Sequence, residues 1–274
     1  MDSPQSILRR RGLRPKQSWG QNFLGDAHAL EQIANAAQLV PGNTVVELGP
    51  GLGHLTQALL ATGALVVAVE RDRDMVEALE ELQNDRLKVV AANAADVQFA
   101  ALAGVPKVTV VGNLPYHLTS PILFSVLEQH TTVTCAVFTV QKEVAVRLAA
   151  EPGNRDYGLL TVLLGLYFRV HSLFTLPARM FHPAPQVDSA VIRLTHLLVP
   201  RAEVSSDAHF RRVVKAAFAQ RRKTLVNSLQ SDATLGDVTF LKAAVARAGI
   251  EPTRRAETLT VEEFAALERS LAEK

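Results

Sequence analysis

Cysteine is nearly absent from this chain of 274 residues, where Cys135 stands alone in an apolar run. An intrachain disulfide, a cysteine-rich zinc site and a Cys-x-x-Cys redox pair are excluded, and a cytoplasmic, reducing compartment is expected. Long apolar runs are missing too. The longest uncharged stretch, residues 108–127, is interrupted by Gly112-Asn-Leu-Pro-Tyr-His117 and by Pro121, and polar loops of this kind do not cross a hydrocarbon core, so no membrane partner is expected. The cations Arg9, Arg10, Arg11, Arg14 and Lys16 are followed by no apolar segment such as a secretory signal needs. The eight histidines form no His-Glu-x-x-His or other close ligand pair, and no metal is expected.

A chain of this length buries roughly 70 to 75% of its unfolded surface and needs no staple; one large domain or two unequal ones are expected. The net charge of +2 hides an asymmetry. Residues 41–130 carry ten acidic and five basic side chains, whereas residues 9–16 and 211–223 contain no acid at all. Such clusters are either solvated helix faces or the footprint of a polyanion.

From residue 44 onward, short Val-rich runs alternate with helical patterns, the signature of βαβ units around a parallel sheet. Strands are predicted at 44–48, 65–69, 87–91, 107–111 and 135–140. Helices are predicted at 26–38, 54–61, 74–82, 120–128 and 142–149, with Asp74 and Ser120 as N-caps. Strand-like pieces at 167–170 and 190–194 extend the sheet. After Pro200 only helical patterns follow, at 209–229, 238–248 and 261–271. The expectation is an α/β domain over residues 1–199 and a small all-α domain over 200–274.

The segment Val45-Val-Glu-Leu-Gly-Pro-Gly-Leu-Gly53 runs from a strand through glycines into a helix, so a ligand can approach bare backbone at Gly49 and Gly51. Glu70 ends the next strand about twenty residues on, where a carboxylate accepts from both ribose hydroxyls. A nucleoside-bearing cofactor is implied, either NAD or S-adenosylmethionine. The Tyr-x-x-x-Lys pair of short-chain dehydrogenases is missing, because Tyr116, Tyr157 and Tyr167 are followed four residues later by Ser120, Thr161 and His171. Instead the fourth strand ends in Gly112-Asn-Leu-Pro-Tyr116, at the sheet edge where ligands bind. The Asn113 side-chain oxygen and the Leu114 carbonyl can accept the two N–H bonds of adenine N6, drawing its lone pair out of ring conjugation. Tyr116 can then stack on the ring, an interaction worth about 1 to 3 kcal/mol per base.

With these residues in view, the chain resembles the small-subunit ribosomal RNA adenine N6,N6-dimethyltransferases. The matching segments are Gln21-Asn-Phe-Leu24, Glu47-Leu-Gly-Pro-Gly-Leu-Gly53, Asn113-Leu-Pro-Tyr116, Gln141-Lys-Glu-Val-Ala145, Phe181-His-Pro-Ala-Pro-Gln-Val-Asp-Ser-Ala190, Gln220-Arg-Arg-Lys-Thr-Leu225 and Arg255-Ala-Glu-Thr-Leu259. The resemblance implies S-adenosylmethionine as cofactor, a Rossmann-like domain and a helical C-terminal domain. It implies that Asn22 and Leu24 close over the cofactor, that Gly49 meets its methionine end, that Glu70 holds its ribose and that Asn113 touches both cofactor and target. Phe181 would face Tyr116 across a flipped adenine.

Two positions depart from the family. Asn93-Ala94 stands where the family usually has Asp-Ala, so Asn93 would meet the cofactor adenine without charge assistance; Asp96, the nearest acid, is displaced by three residues. His117 stands where the motif usually continues with Asn, and either side chain can brace the loop. The cations Arg211, Arg212, Lys215, Arg221, Arg222 and Lys223, read as lying along one helix, would track RNA phosphates. The implied activity is dimethylation of two adjacent adenosines near the 3′ end of small-subunit RNA, within an immature 30S-type subunit and by a monomer. Open alternatives are the related large-subunit methyltransferases of macrolide resistance and a catalytically weak assembly or transcription factor of the same fold.

Overall fold

The computed structural model describes residues 2–273. The chain opens with α1 (Pro4–Arg11), β1 (Phe23–Leu24) and α2 (Ala27–Ala36). Strands and helices then alternate through β2 (Thr44–Leu48), α3 (His54–Ala61), β3 (Leu65–Glu70), α4 (Arg73–Glu80), β4 (Leu87–Ala91), α5 (Phe99–Ala103), β5 (Val108–Asn113), α6 (Thr119–Glu128), β6 (Val133–Gln141) and α7 (Lys142–Leu148). After α8 (Leu159–Tyr167) come β7 (Phe168–Leu176), β8 (Phe181–His182) and β9 (Ser189–His196). The remainder is helical: α9 (Asp207–Ala217), α10 (Leu225–Leu229), α11 (Val238–Arg247) and α12 (Val261–Ala272).

Seven strands form one sheet in the order β4-β3-β2-β5-β6-β9-β7. The neighbours from β4 to β6 are parallel, and β9 runs antiparallel to β6. This is the Rossmann-like architecture expected. The chain leaves β2 toward β3 and β4, then crosses to the other side of β2 to lay down β5, so the connections after β2 and β5 diverge and leave a crevice at their carboxyl ends. A separate two-stranded ribbon pairs β1 with β8, setting Leu24 opposite Phe181.

The central strands are apolar on both faces, as parallel strands must be when both sides are covered: Val45, Val46 and Leu48 of β2 and Val66, Ala68 and Val69 of β3 are all at most 1% exposed. Leu30 and Ile33 of α2 and Leu55 and Leu59 of α3 join Val45, Val66 and Ala68 in one core cluster. A smaller cluster unites Leu8, Phe23, Leu52 and Met75. Burial of Leu8, worth about 1.5 to 3 kcal/mol, ties α1 to the glycine turn and α4.

The chain divides into two compact units: everything up to Ala145 together with His171–His196, and Val146–Val170 together with everything from Leu197 onward. The single boundary expected near residue 200 is therefore corrected. Residues 146–170 belong with the C-terminal helices, and β7 after Val170, β8 and β9 return the chain to the sheet. Local corrections have simple causes. The N-cap of α4 is Asp72, whose carboxylate accepts from Asp74 N, while Asp74 sits in the first turn. Helix α6 begins at Thr119 without a side-chain cap, and Ser120 lies inside it. The helix predicted over 209–229 is two helices, because α9 ends at Ala217 and the chain turns before Thr224 caps α10.

Strand packing at the crevice leaves no room at Gly112. A Cβ there would stand 2.6 Å from the Leu48 carbonyl oxygen and 2.8 Å from Leu114 Cδ2. Because the first contact is backbone, Gly112→Ala is expected to destabilise the protein by about 1 to 3 kcal/mol, which at this size lowers Tm by several degrees in a thermal scan. An unchanged Tm would mean that β2 and β5 separate freely.

Candidate active site

The crevice is a pocket within the first unit. It is walled by the carboxyl ends of β2, β3, β4 and β5, by residues 19–24 ahead of α2, and by Phe181. Its floor is the turn from β2 to α3. Gly49, Gly51 and Gly53 all have positive φ, at 67°, 54° and 81°, a region where a side chain is strained. At Gly51 a Cβ would also approach Phe23 Cε1 to 2.9 Å.

The end of β3 bolts this turn in place. Glu70 Oε2 accepts from Gly51 N at 3.1 Å, and Oε1 accepts from Arg71 N at 2.8 Å and Asp72 N at 2.9 Å. Burial raises the Glu70 carboxyl above the ordinary carboxylate range, and these backbone donors partly offset it. Glu47 lies deeper. It is fully buried, its Oε2 accepts from Thr56 Oγ1 at 2.6 Å, and its Oε1 has no partner. Burial pushes it up to about 8, Thr56 counteracts this, and the Glu70 charge adds to it.

At the end of β5, Asn113 Nδ2 donates to the Asn22 carbonyl at 2.9 Å. With its nitrogen engaged by the Asn22 carbonyl, Asn113 lines the pocket with its amide oxygen left as an acceptor. Tyr116 Oη lies 2.9 Å from Ser189 Oγ. Leu114 is 3% exposed, and its N–H donates to the Thr139 carbonyl. Phe181, 5% exposed, reaches the pocket wall from β8, opposite Leu24 in the ribbon.

After β4, Asn93 and Ala94 line the pocket and Asp96 does not. Asn93 Nδ2 donates to Asp96 Oδ2 at 2.7 Å, while its Oδ1 accepts only a long bond, 3.4 Å, from Ala95 N. The amide nitrogen is thus held by Asp96, and the oxygen carries only this long local contact.

Several side chains that hold the pocket wall were not foreseen from sequence. Lys16 Nζ bridges Asp72 Oδ1 at 2.6 Å and Asp74 Oδ2 at 2.8 Å, and Gln21 Nε2 donates to Asp72 Oδ2 at 2.7 Å. Asp72 is 1% exposed, and its bond holds the Lys16 ammonium above its ordinary range. Trp19 stacks under the Arg71 guanidinium, 4.0 Å from its ring centroid. The Glu70-Arg-Asp72 run and the Gln of Gln21-Asn-Phe-Leu24 are the local signals that could have pointed to this clasp. His54 is buried, contacts the Asp2 carbonyl through Nε2 at 2.9 Å and is shifted downward by burial. His117 packs beside Gly20, whose Cβ would stand 3.2 Å from Nδ1.

The cations assigned to RNA lie in the second unit and do not share one helix. Arg211, Arg212 and Lys215 are on α9, while Arg221, Arg222 and Lys223 occupy the turn before α10. Arg221 is a strut in that turn. It donates to the Arg155 and Tyr157 carbonyls at 2.5 and 3.1 Å and faces Glu257 at 3.7 Å. Arg212 faces Asp232 at 3.9 Å. Lys215, Arg222 and Lys223 are exposed. Among the described residues no three His, Cys, Asp or Glu side chains converge as a metal cage, and no helix is long and apolar enough to cross a membrane.

The raised Glu47 carboxyl has a sign that can be checked. Between its ordinary pKa of 4.5 and about 8 the folded protein holds this proton while the unfolded chain has released it, so stability falls as pH rises through that window. Tm of the wild type relative to Glu47→Gln is expected to drop progressively from pH 4.5 to 8. Parallel curves would show that Glu47 titrates normally.

The family model described as ribosomal RNA adenine dimethylase matches residues 12–273. A "Ribosomal RNA small subunit methyltransferase A" of Myxococcus xanthus is 64% identical over 99% of this chain and 96% of its own length. The protein of the same name from Moorella thermoacetica is 45% identical over 97% and 96%. Among solved structures, the 23S rRNA methyltransferase ErmE superposes with a TM-score of 0.71 at 27% identity, covering 92% of this chain and all of its own. A dimethyladenosine transferase from Plasmodium falciparum reaches a TM-score of 0.76 at 23% identity over 89% and 95%, a likeness of fold. With a family model matched from residue 12 to residue 273 and relatives identical at up to 64% over nearly their whole length, the chain belongs to the ribosomal RNA adenine dimethylase family.

Proposed function

We propose that this protein is an S-adenosylmethionine-dependent enzyme that dimethylates N6 of two adjacent adenosines near the 3′ end of small-subunit ribosomal RNA. The observation that carries this reading is Asn113, whose amide nitrogen is held by the Asn22 carbonyl so that its oxygen is left as the acceptor in a pocket that Tyr116 also lines. The relatives named for the small subunit reach 64% identity, against 27% for the large-subunit enzyme ErmE, which favours the small-subunit substrate.

The pocket residues suit the cofactor. Glu47 presents a buried carboxyl oxygen without a partner, and an ammonium group bound beside it would satisfy that oxygen and favour the ionised form. Glu70 retains acceptor capacity toward ribose hydroxyls, Asn93 Oδ1 suits an adenine amine, and Gly49 and Gly51 let a ligand lie on bare backbone. Asn22 and Leu24 form the wall that would cover it. When bound, the cofactor supplies an electrophilic methyl group on a sulfonium.

The protein's own part is positioning and electrostatics. Asn113 Oδ1 and the Leu114 carbonyl accept the two N–H bonds of adenine N6 and free its lone pair for attack. Tyr116 and Phe181 offer aromatic faces that offset the few kcal/mol needed to take a base out of its stack. No general base is required, because the proton leaves after the methyl group has been transferred.

Outside the pocket, Lys215, Arg222 and Lys223 are the cations we assign to phosphate contact, with α9 contributing Arg211 and Arg212; Arg221 acts by bracing the turn. The substrate is read as an immature 30S-type subunit, the enzyme as a cytoplasmic monomer.

Methyl transfer to immature small subunits, with dimethyladenosine located by mass spectrometry, tests the function. Transfer to large-subunit RNA alone, or none, would overturn it. Asn113→Ala is expected to lower the rate on the order of a hundredfold or more while Tm is preserved; wild-type turnover would remove Asn113 from the chemistry. Replacing Arg222 and Lys223 by Ala should make the slope of log affinity against log salt shallower by up to about 1.4 to 1.8 units. Arg221→Ala should instead lower Tm. An unaltered slope in the double variant would move the RNA surface elsewhere.

A further inference from the structure

The two aromatic faces of the pocket come from segments far apart in sequence, Tyr116 after β5 and Phe181 in β8. One dipeptide touches the supports of both. Ser189 is fully buried at the start of β9, opposite Gln141 in the ladder, and its Oγ lies 2.9 Å from Tyr116 Oη. Its neighbour Asp188 accepts through Oδ1 from Ala178 N at 2.9 Å, and its carbonyl accepts from Lys142 N at 3.0 Å. Ala178 opens the single turn Ala178–Met180, which runs directly into Phe181. The Met180 carbonyl in turn accepts from Gly25 N, just past Leu24.

From this geometry we infer that Asp188 and Ser189 are positioning residues which together set the gap between Tyr116 and Phe181, and with it the seat of the flipped adenine. The inference rests on the proposed function and adds residues that touch neither cofactor nor base. Two physical points carry it. A tyrosine that must present its ring flat to a base keeps rotational freedom about its side-chain bonds unless its hydroxyl is tethered, and the tether here is anchored on the antiparallel ladder of β6 and β9. The turn before Phe181 holds the backbone of that ring, and Asp188 fixes the turn from the residue next to Ser189. A displacement of one edge of the dipeptide therefore moves both faces, and misplacement by about 1 Å can cost on the order of a hundredfold in rate.

The experiment compares wild type, Ser189→Ala, Tyr116→Phe, the double variant, Asp188→Ala and Asp188→Asn, measuring single-turnover methyl transfer to immature small subunits and S-adenosylmethionine affinity. Ser189→Ala is expected to lower the transfer rate about tenfold with cofactor affinity unchanged, which also reports an intact fold. In the Tyr116→Phe background the same substitution should change the rate less than about twofold, since the hydroxyl it serves is gone. Asp188→Ala should lower the rate severalfold, and Asp188→Asn, which keeps an acceptor for Ala178 N, should restore most of the loss. Full additivity of Ser189→Ala with Tyr116→Phe would overturn the tether, and equal losses in Asp188→Ala and Asp188→Asn would overturn the role of the turn. Wild-type rates in Ser189→Ala would overturn the inference while leaving the function standing. A wild type that transfers no methyl group overturns both.

Discussion

The architecture of the site depends on where the chain reverses its direction of travel across the sheet. Because β2 receives β3 on one side and β5 on the other, the two loops that leave its end and the end of β5 must part, and no helix can fill the space between them. Register then decides what stands around the gap. Glu47 pairs with Ala68 and Val111, Leu48 with Val69, and Gly112 with Phe138, so the polar residues at the strand ends, Glu47, Glu70 and Asn113, come to one edge. A slip of one residue in β2 or β3 would turn Glu47 or Glu70 to the opposite face of the sheet.

The consequence is two buried acids whose charged forms are raised in energy by burial, that of Glu47 further by the Glu70 charge and that of Glu70 by the Asp72 charge. Stability alone would remove them. Glu70 is partly compensated by backbone donors from Gly51, Arg71 and Asp72, and in return it holds the glycine turn. Glu47 keeps an unsatisfied oxygen. A buried acceptor in that condition costs folding free energy until a donor arrives, which makes the pocket a place where part of the protein's stability is conditional on its ligand.

The α/β part was legible because its signals are local. The strands 44–48 and 87–91 and the helix 54–61 stand where the Val-rich runs and glycine turns predict. Helix α8 was not foreseen because Leu159–Tyr167 is apolar on nearly every side and carries no amphipathic period; its membership of the second unit was hidden with it. The ribbon of β1 and β8 is two residues long in each strand, too short for any alternation. Within the site, the residues expected to touch ligand lie in motifs and line one pocket. The contacts that support them could not be read in this way: Asn22 to Asn113 spans 91 positions, Ser189 to Tyr116 spans 73, and Lys16 to Asp72 spans 56. Contacts between distant segments leave no trace in spacing. The continuous cationic helix face failed for a related reason: helical propensity persists through Phe218–Leu225, but Arg221 finds carbonyls to bind only where the chain turns.

Residues 16–22 are an interlock. The same short segment is clasped to Asp72 by Lys16 and Gln21, walls the pocket with Trp19 and Asn22, and lends the Asn22 carbonyl to Asn113. Because this one segment is both wall and support, a displacement of residues 19–22 would also withdraw the carbonyl that holds the Asn113 amide. The lining of the pocket and the orientation of the Asn113 amide are thereby tied to a single short segment, so neither can change without the other.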